Sequence, residues 1–343
     1  MRVLVTGHEG YIGSVLTPML QAAGHEVVGV DTGLYADCLI GPPPAPVESL
    51  RVDLRDVTVD DCSGVDAVIH LAALCNDPLG NLNPDLTYNV NLHATLRLAE
   101  AAKAAGATRF LFSSSCSLYG KGLDDAPLAE DAGFNPITPY GTSKIESEQG
   151  LLALADDSFS PVFLRNATAY GFSPRLRGDL VVNDLVGHAL RTGEVRLQSD
   201  GSAWRPLVHV EDICAAFLAM LAVPRERIHA RAYNVGQTGE NYLIRQVAEL
   251  VAEVVPGSRV TFAAGAAADL RNYRVSCDLI AADVPEFRPA WTLRKGIEQL
   301  VEAYTRYELR LDDLMGSAHQ RLKRINALRT AGRLSDELRW IEP

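Results

Sequence analysis

A chain of 343 residues is long enough for one large domain or two medium ones, and two lobes are the expectation. Its 47% hydrophobic and 22% charged residues suit a soluble globular protein, and a formal net charge of -11 with pI near 5.2 excludes broad binding to nucleic acid or anionic membranes. Six cysteines (Cys38, Cys62, Cys75, Cys116, Cys214, Cys277) lie without C-x-x-C spacing and no apolar run reaches membrane length, so reduced thiols, no metal and a cytoplasmic setting are expected.

Val3 to Thr6 is a short β-branched run, followed by G-H-E-G-Y-I-G-S-V-L and an apolar-periodic segment to about Ala23, which predicts strand, glycine turn and helix. Gly7, Gly10 and Gly13 allow the tight turn, the approach of a pyrophosphate and close helix packing, with the helix N-terminus facing the phosphates. A second strand, His25 to Val30, ends in Asp31, at the spacing where a carboxylate accepts ribose hydroxyls. Asp31 would repel a 2′-phosphate, and Thr32 to Ala36 holds no arginine to bind one, so NAD is expected rather than NADP. GPPPAP, from Gly41 to Pro46, is a loop. Leu50 to Leu54 is expected as a third strand carrying Asp53, and Val65 to Leu71 as a fourth that runs into His70-Leu71-Ala72-Ala73; His70 reads as a packed histidine. A long amphipathic helix over Pro84 to Ala105 and a fifth strand over Arg109 to Ser114 complete an alternation that predicts a Rossmann-type, doubly wound parallel α/β sheet.

The fifth strand runs into Ser113-Ser114-Ser115-Cys116-Ser117-Leu118-Tyr119-Gly120, hydroxyls leaving the sheet on its ligand side. Thr138-Pro139 then predicts an N-cap and first helical residue, placing Tyr140 and Lys144 on one face of the helix's opening turns, where the macrodipole adds positive potential. Lys144 and a cationic nicotinamide should both lower the phenol's pKa toward neutrality, as a general base requires.

TGHEGYIG at Thr6 to Gly13, Asp31, VDLRD around Asp53, HLAA at His70 to Ala73, Asn91, SSSCSLYG and YGTSK at Tyr140 to Lys144 together resemble the extended short-chain dehydrogenase/reductases, within them the NAD-dependent epimerase/dehydratase family acting on nucleotide sugars. The resemblance spans about the first 310 residues. It implies catalysis by Tyr140, Lys144 and Ser115, with Asp53 on adenine, Lys144 on the nicotinamide ribose and Ser115 orienting the reacting sugar oxygen. It also implies a cofactor site made from Gly7, Gly10, Tyr11, Ile12, Gly13, Asp31, Asp53, Leu54, Leu71, Ala72, Ala73, Asn91, Ser113, Tyr140 and Lys144, and a homodimer formed by four-helix packing of the helices around Asn91 and Tyr140.

In the second half, Phe163 to Tyr170 is expected as one strand, Val181 to Arg191 as a helix, Val195 to Gln198 as a strand, Ile213 to Leu221 as a helix, Ala232 to Val235 as a strand and Leu243 to Val254 as a helix. Relatives usually carry asparagine where Thr168 stands, and Asn166 is two residues early. Arg205 resembles the arginine that meets a substrate phosphate, although Pro206 departs from the family pattern, and DLRNYRVS (Asp269 to Ser276) resembles a second arginine segment, with Arg271 the closer match and Arg274 the fallback. The substrate site is thus expected from Ser115, Cys116, Ser117, Asn166, Thr168, Arg205, Arg271 and Arg274. The expected division is a Rossmann domain (1–171 with 208–236), a smaller discontinuous α/β substrate lobe (172–207 with 237–310) and a helical C-terminal extension (311–343) whose alternating charges suit a solvated face.

Within this family, chemistry begins as a sugar carbon gives hydride to NAD while Tyr140 removes the hydroxyl proton. 4,6-Dehydratases have an aspartate and a glutamate at the positions held here by Cys116 and Ser117, and 3,5-epimerases have a cysteine at the place of Ser117. The sequence therefore points first to a C4 epimerase of a nucleoside-diphosphate sugar. The alternatives are a 4-keto-sugar reductase consuming NAD(P)H, another nucleotide-sugar oxidoreductase or dehydratase, and a non-catalytic NAD-sensing protein.

Overall fold

The β-branched runs of the first half pair as parallel strands, and their continuous apolar character follows from burial on both faces. A computed structural model of the protein describes residues 1–122, 126–267, 269 and 271–341. Leu270, inside the second arginine segment, and Glu342 and Pro343, at the end of the expected extension, lie outside the described residues. Strands β1 (Arg2–Thr6), β2 (Glu26–Val30), β3 (Glu48–Leu50), β4 (Ala67–His70), β5 (Arg109–Ser115), β6 (Ser160–Asn166) and, later in the chain, β10 (Ala232–Val235) form one seven-stranded sheet in the order β10-β6-β5-β4-β1-β2-β3. Thr6 lies in register with both Val30 and His70, and His70 with Phe112, so four strands deliver their carboxyl ends to one edge. The order reverses between β1 and β4, which opens the crevice there.

Helix α1 (Gly13–Ala22) leaves the glycine turn after β1 and packs on one face of the sheet. On the other face, α2 (Ala94–Ala104) contributes Leu98 and Ala102 to a core shared with Val68 and Phe110. The single long helix expected over Pro84 to Ala105 is interrupted: a short helix, Pro84–Tyr88, passes through a π-type turn at Asn89–His93 before α2 begins. The third strand is also shorter and earlier than expected. Asp53 accepts the Arg55 amide and caps a 3₁₀ turn at Leu54–Asp56, which takes that stretch out of the ladder. Helix α3 (Pro139–Ala153) lies under β5 and carries the Tyr140/Lys144 pair.

The run from Phe163 to Tyr170 is two strands, not one. After β6 the chain steps at Ala167 into β7 (Thr168–Tyr170), which belongs to a second sheet ordered β11-β9-β7, with β9 Trp204–His209 and β11 Asn241–Leu243. Beyond them β8 (Glu194–Ser199) pairs in parallel with β12 (Arg259–Ala267). Helix α4 (Val181–Thr192), α6 (Ile244–Val254) and α7 (Leu293–Arg306) enclose a core with these strands, while α5 (Val210–Ala222) returns to pack on α1. The segment after α7 is less helical than its composition predicts: it holds one turn at Leu311–Leu314 and α8 (Arg321–Thr330), then an irregular stretch. It is not a solvated face either, for Ile325, Leu328, Leu334 and Leu338 are buried against Leu74, Leu79 and Leu86. No helix among the described residues is long and apolar enough to cross a membrane, and all six cysteines are free thiols.

Candidate active site

A cavity of about 900 Å³ opens along the carboxyl edge of the seven-stranded sheet and continues under the second sheet. Its Rossmann end is built by the glycine turn. Gly7 has φ +71°, and a Cβ there would meet the Ala72 amide nitrogen at 2.9 Å; one on Gly13 would meet the Gly7 carbonyl oxygen at 2.3 Å. Neither site admits a side chain, so the backbone itself forms the cradle at the start of α1. Tyr11 and Ile12 also line the cradle, and the Tyr11 hydroxyl donates to the Gly171 carbonyl at 2.8 Å. Asp31 accepts from the Gly33 amide at 2.8 Å and the Glu9 amide at 3.1 Å; burial, the largest influence, raises its pKa. Both oxygens of Asp53 are engaged by Arg55, which donates from Nη2 at 2.6 Å. Burial pushes the Asp53 pKa up, but the Arg55 hydrogen bonds and charge prevail and hold it low.

Leu54, Leu71, Ala72, Ala73 and Ser113 line the same cavity. Asn91 does not: its Oδ1 accepts the Leu74 amide at 2.8 Å and its Nδ2 donates to the Leu74 carbonyl at 3.2 Å, so it fixes the loop after β4 from behind rather than facing a cofactor. His70 is enclosed between Thr6 Oγ1 at 2.6 Å and Thr95 Oγ1 at 2.8 Å, with a pKa pushed down by burial and by Lys144 to about 3, and serves as a neutral structural link.

At the centre of the cavity, Thr138 accepts the Gly141 amide at 3.3 Å and donates to Asp77 Oδ1 at 2.7 Å, which sets the start of α3 against the loop after β4. One turn in, the Lys144 Nζ donates to the Ser113 carbonyl at 2.7 Å and lies 5.8 Å from the centre of the Tyr140 ring. Burial lowers the Lys144 pKa to about 8, leaving it mostly charged at neutral pH. Ser115 hydrogen-bonds Tyr140, accepts the Ser117 amide at 3.1 Å and donates to Ser117 Oγ at 3.1 Å. The chain's own groups do not lower the phenol's pKa as expected. Burial is the dominant influence and raises it, and the Ser115 hydrogen bond and the Arg177 charge oppose it without prevailing.

Ser117, Asn166 and Thr168 line the substrate end. Asn166 Nδ2 donates to Ser113 Oγ at 3.0 Å, while its buried Oδ1 has no protein partner and is the orphaned acceptor of the cavity. Arg205 and Arg271 converge on Asp269, at 2.7 and 3.1 Å, and Arg271 reaches across to Asp77 at 2.6 Å. Two expected residues are elsewhere. Cys116 is buried behind the wall, its thiol donating to the Arg165 carbonyl at 3.1 Å and its pKa pushed well up by burial. Arg274 points away and stacks over Trp204, its carbon 4.8 Å from the ring centre.

Sequence reasoning missed several cavity groups. Arg177, held bidentately by Asp179 at 2.9 and 3.0 Å, lies above Cys75, and Asn76 bonds the same Asp179 at 2.7 Å, so the loops after β4 and β7 meet over the cavity. Tyr273 adds a buried phenol bonded to Ser117. Gln320, Arg321, Leu322, Lys323 and Leu338 come from the C-terminal segment. The R-L-R-G-D run at Arg175 to Asp179 was the available signal for Arg177; none pointed to the C-terminal residues.

The parallel sheet, glycine cradle, acidic end of β2 and Tyr/Lys pair define a Rossmann-type dinucleotide enzyme of the short-chain dehydrogenase/reductase kind. The NAD dependent epimerase/dehydratase family model matches residues 3–236, and the chain belongs to that family. It is 30% identical over 322 residues to a UDP-glucose 4-epimerase of Mycolicibacterium smegmatis, covering 89% of this chain and 98% of that protein. Among solved structures it is similar to MoeE5 in complex with UDP-glucuronic acid and NAD, at 29% identity and TM-score 0.78, covering 89% and 99% of the two chains. MoeE5 is also solved in complex with UDP-glucose and NAD, at 30% identity and TM-score 0.77. The protein is thus an NAD-dependent enzyme of the nucleotide-sugar epimerase/dehydratase family, and the glycine cradle, Asp31 and the apolar wall of Leu54, Leu71 and Ala72 fit that cofactor.

Proposed function

We propose that the protein is a C4 epimerase of a nucleoside-diphosphate hexose, with UDP-glucose and UDP-galactose the first pair to test. The observation that carries this reading is the chemistry beside Tyr140: where dehydratase relatives hold two carboxylates, this chain has Ser117 and a Cys116 withdrawn from the cavity. Of the acids at this end of the cavity, Asp77, Asp179 and Asp269 are each tied to an arginine, and Asp184 lies 3.6 Å from His188. NAD supplies a reversible hydride acceptor. Tyr140 takes the proton of the sugar C4 hydroxyl and returns it, Ser115 holds the reacting oxygen, and the Lys144 ammonium steadies the phenolate. Ser113, Asn166 and Thr168 shape the floor, and Arg205 with Arg271 receives the diphosphate. The similarity to a UDP-glucose 4-epimerase supports the same reading. We also assign a homodimer face to α3 and the helix around Asn91; Leu152 is 49% exposed on α3, and gel filtration tests the assembly.

The test is NMR of UDP-glucose and UDP-galactose incubated with purified enzyme and no added cofactor. Interconversion to a common equilibrium is expected, and Tyr140→Phe should slow it by about 10²- to 10⁴-fold. Turnover only with stoichiometric NADH or NADPH would make the enzyme a reductase instead, and full activity in Tyr140→Phe would refute the assignment of the base.

A further inference from the structure

The C-terminal segment lies outside residues 3–236 matched by the family model, yet it supplies cavity wall. After α7 the chain runs back across the Rossmann end, where Arg321 and Leu338 line the cavity. Its anchors fall on the segments that follow the two cofactor-facing acids. On the Asp31 side, Trp340 Nε1 donates to the Thr32 carbonyl at 2.7 Å and Arg324 Nε to the Leu34 carbonyl at 3.1 Å. The Arg321 guanidinium lies 3.9 Å over the Tyr35 ring and donates to the Arg175 carbonyl at 3.1 Å. On the Asp53 side, Arg55 donates to the Glu337 carbonyl at 2.9 Å and Arg339 pairs with Asp56. Between these contacts, Leu328, Leu334 and Leu338 pack on Leu74 and Leu79 of the loop after β4. One segment therefore ties together three loops that flank the adenosine half of the groove.

We propose that residues 320–340 form a cofactor-retaining strap, a third wall over the adenosine end of the NAD site that must open before the dinucleotide can leave. Several independent anchors, two of them on backbone carbonyls next to Asp31, hold it in place. Separation of the anchors, rather than any single contact with the ligand, then sets the exit rate, so weakening the strap acts on dissociation. The inference rests on the family's NAD site and not on which carbon of the sugar is epimerised.

The test is release of isotopically labelled NAD from the loaded full-length enzyme into excess unlabelled NAD, followed by rapid gel filtration. Trp340→Ala removes the Thr32 bond and the indole packing, and should speed release by roughly tenfold or more, the ratio expected for about 1.4 kcal/mol. Arg310→Ala, whose partner is Asp313 away from the groove, should release NAD at the wild-type rate. Hydrogen exchange on the wild-type enzyme provides a second reading, in which amides of residues 320–340 gain protection on NAD loading. If Trp340→Ala does not fold, Trp340→Phe, which keeps an aromatic ring and loses only the N–H donor, and Arg339→Ala replace it. Release rates within twofold of wild type in folded strap variants, or exchange in the strap that ignores NAD, would overturn the proposal.

Discussion

Lys144 shows at the scale of one residue how the site sets stability against chemistry. Its ammonium is 3% exposed and hydrogen-bonded to one carbonyl, and burial lowers its pKa from 10.5 to about 8. Between those values the unfolded chain binds a proton the folded protein does not, so stability rises with pH across roughly 8 to 10.5, and the full cost of the buried charge is present below about 8. That cost is on the order of 3 kcal/mol, less about 1 kcal/mol for the hydrogen bond that goes with the charge. Lys144→Met should therefore unfold at higher denaturant concentration than wild type at pH 7, with the gain shrinking by pH 10, while kcat falls by roughly a hundredfold or more as Tyr140 loses its cation. A destabilised Lys144→Met would mean that the lysine is a structural group. The four-residue spacing of Tyr140 and Lys144 was legible in the sequence, but the direction of the phenol's pKa was not, because burial is a property of the assembled cavity.

Within elements, local signals carried well wherever backbone chemistry decides. Thr138-Pro139 starts α3 as its letters imply, and the glycine turn, Asp31 and β5 stand where their patterns place them. Legibility failed where pairing across the molecule decides. Nothing in FLRNATAY marks Ala167 as the point where the chain leaves one sheet for another, since both halves carry strand-forming residues and differ only in their partners. The π turn at Asn89–His93 was likewise hidden, because Asn91 is committed to the backbone of Leu74, a contact no periodicity encodes. Thr138 belongs to both classes: it caps α3 and also grips Asp77 across the cavity. Thr138→Ala should cost about 1 kcal/mol of stability from the lost cap and also lower kcat, whereas Thr138→Ser should restore both. Loss of stability with unchanged kcat would confine the residue to capping.

At the scale of the whole molecule, the cavity is assembled from opposite sides of the fold and bridged by charge. Arg271, from the segment after β12, meets Asp77 from the loop after β4 at 2.6 Å, while Asp269 holds Arg271 and Arg205 side by side. Such a pair of arginines suits a diphosphate, and removing one should weaken nucleotide-sugar binding while leaving NAD release unchanged. Arg271 has a second effect through Asp77, a charge that raises the pKa of Tyr140. With Arg271→Ala the carboxylate loses its neutralising partner, Tyr140 is pushed further up, and the acidic, rising limb of the kcat profile moves to higher pH. The two effects separate in a double-mutant cycle. Arg271→Ala should raise KM for the nucleotide sugar by about tenfold or more and lower kcat at pH 7, and adding Asp77→Asn should recover kcat without recovering KM. Asn can still accept the Thr138 hydroxyl, so the start of α3 is preserved in the double variant. Recovery of both parameters would place Arg271 in the bridge alone and leave the diphosphate to Arg205, whereas recovery of neither would make the bridge a structural clasp whose loss displaces Tyr140.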